Sequence, residues 1–526
     1  MTFGALRGRR AAGRRLAAAV LALTGTTALA FTSVPTATAT ATGTTTTTAT
    51  GAVAGVSAPA AASTTYVDCS RPTAGDGSQT SPFNSIGQAN ARTYAPGDTL
   101  AFASGTTCTG TLAPKGSGTA SAPITLTSYG TGALPVIDGN GAADAVLLSN
   151  QDHWRVGNLK LTNPAATLAR RTGLRITATD GRAHRGFDIG HLVIDRVAGQ
   201  TDKTSPTTED FVQSAGIVTG ASGTNSTLHD VHVHHNQISN TGGGGLKIRV
   251  GAMAVKGSGV LIEHNIIKDV GGDGIIASYA DAPMIQYNNA SGVGNGVYPF
   301  SGGNFAGIWV LGDHNPTIQK NAVYGITRMS VADSQAFDCD WGNTGTCTIQ
   351  YNFSRDNIGG FFLDCDGCGT IGGAKQIIRF NISENDCRMS SVSAGRSALH
   401  MYNNVFYCTD RKLDITLPDE SVVENNIWVG TSDSRLPTAP GVQWLWNVFQ
   451  GVPRPTANGI TGDPRFVNPG TGGDSLDSAD GYKLRSTSPA LNNGSVISGN
   501  GGRDYWANPV SATTKPHRGA YNGPGL

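Results

Sequence analysis

Nine asparagines recur through this chain, each three residues after an aliphatic or aromatic residue. They are Asn236, Asn265, Asn288, Asn321, Asn352, Asn381, Asn404, Asn426 and Asn447. Their spacing falls within the period of roughly 20–50 residues that is typical of solenoids built from coils of short strands. Because one coil cannot bury its apolar face alone, the repeat predicts one long stack of coils.

The residue composition agrees with this prediction. The 526 residues include 71 glycines, and only 14% are charged, against about 25% in ordinary soluble proteins. Glycine and asparagine both enter the left-handed backbone region that tight corners require, and an asparagine can also hydrogen-bond to the coil above it. The sequence therefore predicts an all-β chain of short strands and tight turns.

Two flanking stretches extend the pattern. Residues 66–110 resemble the N-terminal cap and first coil of the right-handed parallel β-helix proteins of the pectate-lyase-like superfamily, and residues 462–521 resemble their usual terminal coils. The resemblance implies a right-handed parallel β-helix with an N-terminal cap and a carbohydrate-active function. Lyases, glycosidases, epimerases and phage adhesins share this coil, so the fold alone does not select the activity.

The part of the chain that precedes Tyr66 has a different character. Five arginines precede a short apolar stretch at residues 16–30 that ends in an Ala-x-Ala site, as in a signal peptide. The Thr/Ala-rich stretch that follows cannot bury a core. We therefore predict a signal peptide at residues 1–30, a disordered spacer at 31–65 and a β-helix catalytic domain at 66–526. The mature protein is predicted to be secreted, with no membrane association after processing.

All eight cysteines follow the spacer, and an even number in an exported chain favours disulfides. The Cys-x-x-Cys at residues 365–368 lacks the second pair of a zinc site, so a local disulfide is predicted there. Sequence does not determine the connectivity. Pairing of nearest neighbours predicts Cys69–Cys108, Cys339–Cys347, Cys365–Cys368 and Cys387–Cys408.

The charge balance excludes one class of partner. The chain has a formal net charge of +1, but the part before Tyr66 holds five arginines and no acid, so acidic residues outnumber basic ones in the rest. Without a basic patch we expect no nucleic-acid partner. We expect a monomer with a polysaccharide substrate and no cofactor.

Five strand segments begin at residues 245, 274, 307, 336 and 360, and their second and fourth residues are apolar. Strand side chains alternate between two faces, so these positions are predicted to face the core. The third and fifth positions then face solvent: Lys247, Ile276, Trp309, Asp338 and Phe362, and Arg249, Ser278, Leu311, Asp340 and Asp364. This alignment stacks Asp340 directly above Asp364.

Three clustered carboxylates cannot all ionise freely, so at least one pKa should rise and leave a proton donor beside an anion. We predict Asp340 and Asp364 as the acid and its partner carboxylate, with Asp338 assisting. The same cluster could instead hold a structural Ca²⁺. The nearby Asp333, like Asp356 and Asp366, is interpreted as a turn residue.

The same wall supplies candidate substrate-binding residues. Trp309 could stack under a sugar ring, and Lys247 and Arg249 could contact an acidic or hydroxyl-rich sugar. Asp273 precedes the strand between them, and Arg328 lies in the loop before the aspartate strand. The two longest repeat intervals, which run from Asn288 through Asn321 to Asn352, fall in this region and predict loops that wall a cleft.

A histidine-rich stretch at residues 229–235 does not match a known zinc pattern. Alternation places His232 and His234 on one face and His235 on the other, so we interpret it as a polar outward strand and predict no metal ligands.

Three functions remain. The first is a secreted glycoside hydrolase that uses the aspartates as acid and as base or nucleophile. The alternative is a Ca²⁺-dependent polysaccharide lyase that cleaves a uronic-acid sugar by β-elimination. In it the aspartates hold the ion, and Lys247, Arg249 or Arg328 acts as the base and neutralises the sugar carboxylate. The third is a non-catalytic binding coil, which would need an extended aromatic stripe that the sequence lacks. The hydrolase is preferred to the lyase, because the basic residues that a lyase needs lie several coils from the aspartates, apart from Arg328.

Overall fold

The computed structural model describes residues 61–330, 333–371, 373–392, 395, 398–438 and 441–526. The predicted signal peptide and all but the end of the predicted spacer lie outside the described residues. The first strand, Thr64–Val67, begins two residues before the predicted start of the β-helix. Among the described helices, none is long and apolar enough to cross a membrane.

Three parallel sheets run along the molecule, and most coils add one strand to each sheet in turn. Sheet one contains β1 (Thr64–Val67), β2 (Thr99–Ala103), β4 (Ile124–Tyr129), β7 (Trp154–Gly157), β10 (Ala183–Gly190), β13 (Thr227–His234), β15 (Gly257–Glu263), β18 (Ala280–Asp281), β19 (Met284–Gln286), β22 (Thr317–Gln319), β25 (Thr346–Gln350), β28 (Lys375–Arg379), β31 (Leu399–Tyr402), β34 (Val422–Glu424) and β36 (Gln443–Leu445).

Sheet two contains β3 (Thr107–Thr109), β5 (Val136–Asp138), β8 (Lys160–Asn163), β11 (Val193–Val197), the first part of β14 (Gln237–Arg249), β16 (Ile266–Lys268), β20 (Asn289–Ser291), β23 (Ala322–Tyr324), β26 (Phe353–Arg355), β29 (Ile382–Glu384), β32 (Val405–Tyr407), β35 (Ile427–Val429), β37 (Val448–Gln450) and β38 (Ile460–Thr461).

Sheet three contains β6 (Asp144–Ser149), β9 (Thr172–Ala178), β12 (Ala215–Ala221), the second part of β14, β17 (Gly271–Ser278), β21 (Ile308–Leu311), β24 (Phe337–Asp340), β27 (Phe362–Cys365), β30 (Arg388–Ser391) and β33 (Asp414–Ile415). The described helices are short: α1 (Ile86–Ala91), α2 (Thr208–Val212) and a 3-10 helix at Leu476–Tyr482. The predicted right-handed parallel β-helix is confirmed.

The repeated asparagines form a buried ladder at the corner between sheets one and two. The side-chain amide of Asn321 donates to Oδ1 of Asn352 at 3.1 Å, and Asn352 donates to Oδ1 of Asn381 at 3.0 Å. Each Oδ1 also accepts the backbone N–H of the preceding asparagine, as Asn352 does from Asn321 at 2.9 Å. This pattern runs from Asn236 to Asn447, so the repeat seen in the sequence is a continuous hydrogen-bonded column.

The segment from residue 462 to 526 does not form the terminal coils that the sequence predicted. It contains one 3-10 helix and otherwise irregular backbone. The segment packs over the outer face of sheet two, where one apolar residue from each of five successive coils forms a strip: Phe353, Ile382, Val405, Ile427 and Val448. Its proline, glycine and aspartate content favours turns, and burial of this strip holds it in place.

The four cysteine pairs are those that the sequence predicted, and the described cysteines include no free thiol. Cys69–Cys108 joins the cap to the first coils, and Cys387–Cys408 joins adjacent coils. Cys339–Cys347 and Cys365–Cys368 are local links near the aspartate strand. The disulfide predictions are confirmed.

Candidate active site

A cavity of about 560 Å³ opens on the outer face of sheet three. Its floor is formed by outward side chains of β12, β14, β17, β21 and β24. One wall is the segment around α2, where Phe211 packs against Phe300 at a ring separation of 6.0 Å. Phe300 and Phe305 belong to the insertion before β21, so the loops predicted from the long repeat intervals do wall this region.

Five of the sequence-predicted residues line this cavity together: Lys247, Arg249, Asp273, Trp309 and Asp340. The strand register brings them there, because Lys247 pairs with Ile276, which pairs in turn with Trp309. The alternation argument therefore placed the outward residues of these coils correctly.

Asp364 does not lie on this wall, in contrast to the prediction. It pairs with the core residue Cys339, not with Asp340, and it is 1% exposed. Its carboxylate accepts hydrogen bonds from Nε2 of Gln376 at 2.6 Å and from Oγ of Ser391 at 2.8 Å. The strand register is shifted by one residue relative to the sequence alignment, and such a shift moves every side chain to the opposite face.

Asp338 and Arg328 also lie outside the cavity lining. Asp338 is 3% exposed, and its Oδ1 meets no hydrogen-bond donor among the described residues. Burial, reinforced by the charges of Asp340, Asp333 and Asp364, raises the pKa of Asp338 well above its ordinary value. Arg328 is exposed and does not face the cavity. Asp338 is therefore a buried neighbour of Asp340 on β24 and does not line the cavity.

Asp333 lines the cavity, although the sequence suggested only a turn residue. Burial raises its pKa, and the charge of Lys203 and a hydrogen bond from Asn304 oppose that rise. Lys203 and Asn304 also line the cavity. These residues come from loops with no repeat pattern, so no spacing in the sequence identified them.

Asp340 is the second carboxylate at the cavity whose ionisation is shifted. Burial, together with the charges of Asp333 and Asp273, raises the pKa of Asp340 to about 7, against opposing effects of the Trp341 backbone and of Lys203. The Trp341 N–H donates to Oδ1 of Asp340 at 2.7 Å and fixes its orientation. The cavity therefore presents two carboxyl groups with raised pKa values, a feature that catalytic acids and bases often share.

Asp273 is occupied by binding partners. It accepts the indole N–H of Trp309 at 3.0 Å, and its other oxygen lies 3.3 Å from Nζ of Lys247. Lys247 also donates to the Phe211 carbonyl at 2.7 Å, and burial lowers its pKa to about 8. This network holds the Trp309 ring at the cavity floor and anchors the wall to β14.

The chemistry of the donor groups argues against a metal at the predicted aspartate cluster. The inward orientation of Asp364 separates it from Asp340, so the three-carboxylate Ca²⁺ site does not form. Asp340 lies near Cys365 and Cys368, but these two sulfurs are bonded to each other and have no thiolate to offer.

The raised pKa of Asp340 has a consequence for stability. A carboxyl whose folded pKa exceeds its unfolded value stabilises the protein below about pH 4, and that contribution is lost as the pH rises through about 7. We therefore expect Asp340→Asn to unfold about 2 °C or more above wild type at pH 8, with little difference at pH 4. Thermal unfolding monitored by circular dichroism measures this, with exposed Asp419→Asn as control. A larger gain at pH 4 than at pH 8 would contradict it.

No protein-family model matches this sequence. The chain is 29% identical over 189 residues to a lacto-N-biosidase of Bifidobacterium longum subsp. longum, and the match covers 34% of this chain and 11% of that protein. The chain thus matches about a tenth of the length of this curated relative.

Two solved structures of a GH136 lacto-N-biosidase from Eubacterium ramulus, the selenomethionine derivative and the native protein, are 19% identical to this chain. Their TM-scores are 0.56 and 0.53, over 76% of this chain and 67% of theirs. This chain shares their parallel β-helix fold. At this level of identity the likeness carries the fold alone.

Proposed function

We propose that this protein is a secreted glycoside hydrolase in which Asp333 and Asp340 are the catalytic carboxyl groups. The observation that carries the proposal is that both residues face one cavity and both have a raised pKa. Glycosidic cleavage needs a carboxylic acid at the leaving oxygen and a second carboxylate as nucleophile or as base for water. The names of the relatives, both lacto-N-biosidases, agree with this class.

The other carboxylates at the cavity are less suited to this chemistry. Asp273 is held by Lys247 and Trp309, and Glu209 accepts a hydrogen bond from its helix neighbour Gln213. The charge on Asp333 contributes to the raised pKa of Asp340, so the ionisation of Asp333 affects that of Asp340. We assign the acid and nucleophile-or-base roles to the pair jointly.

The remaining cavity residues fit a sugar. Trp309 and Tyr279 offer aromatic surface, and the guanidinium of Arg249 lies 5.0 Å from the Tyr279 ring centre. Lys203 lies 5.4 Å from the Trp309 ring centre and near both catalytic candidates. The four disulfides suit an oxidising, extracellular environment. We propose that the substrate is an oligosaccharide or polysaccharide.

The lyase alternative is less favoured by this geometry. It required three aspartates as Ca²⁺ ligands, and Asp364 faces the interior instead. It also required a free basic residue beside the aspartates. Lys247 is paired with Asp273, Arg328 does not line the cavity, and Arg249, which does line it, packs against the Tyr279 ring.

The test is to incubate the purified protein with aryl lacto-N-bioside, neutral oligosaccharides and uronic-acid polysaccharides, with and without chelator. We expect release of reducing sugar, without the ultraviolet absorbance of an unsaturated product, and no effect of chelator. An absorbance rise on an acidic polysaccharide that is abolished by chelator would overturn the hydrolase and favour the lyase. The anomeric configuration of the first product, read by NMR, then separates retention from inversion.

A further inference from the structure

A cluster of imidazoles lies on the outer face of sheet one, on a different sheet from the cavity. His232 and His234 project from β13 with ring centres 4.2 Å apart. His191, His235 and His264 lie at the neighbouring corner, and His235 stacks on both of the others. None of these residues takes part in the proposed hydrolysis, and the imidazole is the commonest side-chain ligand of protein-bound metals.

The previous coil supplies a carboxylate to this cluster. Asp188 on β10 pairs in register with His232, and its Oδ1 lies 2.7 Å from Nε2 of His234. One ligand atom from each of these three residues lies within 4.8 Å of the other two. All three side chains are half-buried, so little conformational freedom remains to be lost when they converge on an ion.

Gly190 makes room for this arrangement. It pairs with His234 across the two strands, and a Cβ atom there would lie 2.3 Å from the Cε1 atom of the His234 ring. Any other residue would force the imidazole away from Asp188. The glycine therefore fixes where His234 lies, directly over the neighbouring strand.

Outer contacts orient the two imidazoles. Nδ1 of His234 lies 3.0 Å from Nδ1 of His235, and Nε2 of His232 lies 3.1 Å from Oε1 of Glu263. A metal-bound imidazole characteristically donates its other N–H to such a partner.

We propose that Asp188, His232 and His234 bind one Zn²⁺-like transition-metal dication, with His235 accepting the Nδ1–H of the metal-bound His234. Two imidazoles and a carboxylate are ligands that Zn²⁺ favours, and water completes a tetrahedron. The ion would join the coils of β10 and β13. The sequence predicted no metal here because His232 and His234 lacked a partner, and Asp188 lies far before them in the sequence, in the previous coil.

The test uses the purified chain, treated with EDTA and dialysed, and titrated with ZnCl₂ by isothermal calorimetry. We expect one equivalent to bind to wild type, and we expect His234→Ala and Asp188→Asn each to weaken binding at least about tenfold. Thermal unfolding gives a second readout: Zn²⁺ should raise the midpoint of wild type but not that of His234→Ala. Both variants change a surface side chain, and circular dichroism without zinc verifies their fold.

Two matched histidine variants of the same surface separate binding at Asp188, His232 and His234 from binding at a second histidine cluster. His264→Ala should bind Zn²⁺ like wild type, because His264 stacks on His235 but offers no ligand to the triad. His191→Ala tests the second cluster, His191 with His234 and His235. If His191→Ala loses zinc while Asp188→Asn retains it, the assignment to Asp188 is wrong. If wild type binds no zinc in the micromolar range, the proposal is overturned.

Discussion

Replacing Asp340 by asparagine is expected to lower kcat/KM by roughly 100- to 10,000-fold, the range of losses when a positioned acid or base is removed. The asparagine keeps the shape of the side chain and its contact with the Trp341 N–H, but it can neither ionise nor transfer a proton. Asp333→Asn should give a loss of the same order. Steady-state kinetics on the substrate identified in the incubation test measure both losses. The double variant should lose little more activity than either single variant, because the two groups act as a unit.

Asp338→Asn is the matched control, two residues away on the same strand. Asp338 is buried, does not line the cavity and has a raised pKa, so the amide should keep activity within about tenfold of wild type. Rescue by azide distinguishes the roles, since a small external nucleophile restores a variant that lacks the nucleophile. If Asp338→Asn loses as much activity as Asp340→Asn while Asp333→Asn retains it, our choice of catalytic pair is wrong.

The second large effect is expected from the asparagine ladder. Asn352→Ala removes the acceptor for the Asn321 backbone N–H and side-chain amide, and the donor to the Ile318 carbonyl and to Oδ1 of Asn381. Each buried polar group left without a partner costs about 1–3 kcal/mol. We expect the free energy of unfolding to fall by at least about 3 kcal/mol, measured from urea unfolding followed by tryptophan fluorescence.

An exposed asparagine provides the comparison. Asn458 also makes a side-chain hydrogen bond, to the Trp446 N–H at 2.9 Å, but it lies at the surface where water can replace it. Asn458→Ala should cost less than about 1 kcal/mol. Equal losses for the two variants would mean that the ladder adds no more stability than a surface turn.

Much of the fold was predictable because the asparagine column is periodic. The spacing from each ladder asparagine to the following strand of sheet three also gives the strand register, which our alignment of the five strand segments had wrong at β27. Leu246 and Ile275 each follow their ladder asparagine by ten residues. Ten residues after Asn352 is Phe362, not Phe361. Counting from the ladder would have placed Asp364 in the interior, since it matches the inward Ile248 and Ala277. The alignment matched Gly360 to Gly245 and Gly274, but Gly360 lies eight residues after its ladder asparagine whereas the other two lie nine residues after theirs.

The rest of the site could not be read from the repeat. Asp333 lies in the loop before β24, and Lys203 and Phe211 belong to an insertion several coils earlier. Their positions depend on how irregular segments pack, which periodicity does not describe. Outward residues on the strands from β14 to β24 were located correctly, those of β27 were displaced by one residue, and loop residues at the same cavity were missed.

The position of the segment from residue 462 to 526 determines when folding can finish during synthesis of the chain. Coils contact mainly their neighbours, so a chain synthesised from its N-terminus can stack them in order. The strip from Phe353 to Val448 is nevertheless covered by residues of the 462–526 segment, which are synthesised after it. In the same way, the side-chain amide of Asn289 bonds to the Asp474 carbonyl, 185 residues later. A nascent chain therefore carries an almost finished solenoid with a bare apolar side, and this interval is when it most needs protection from aggregation.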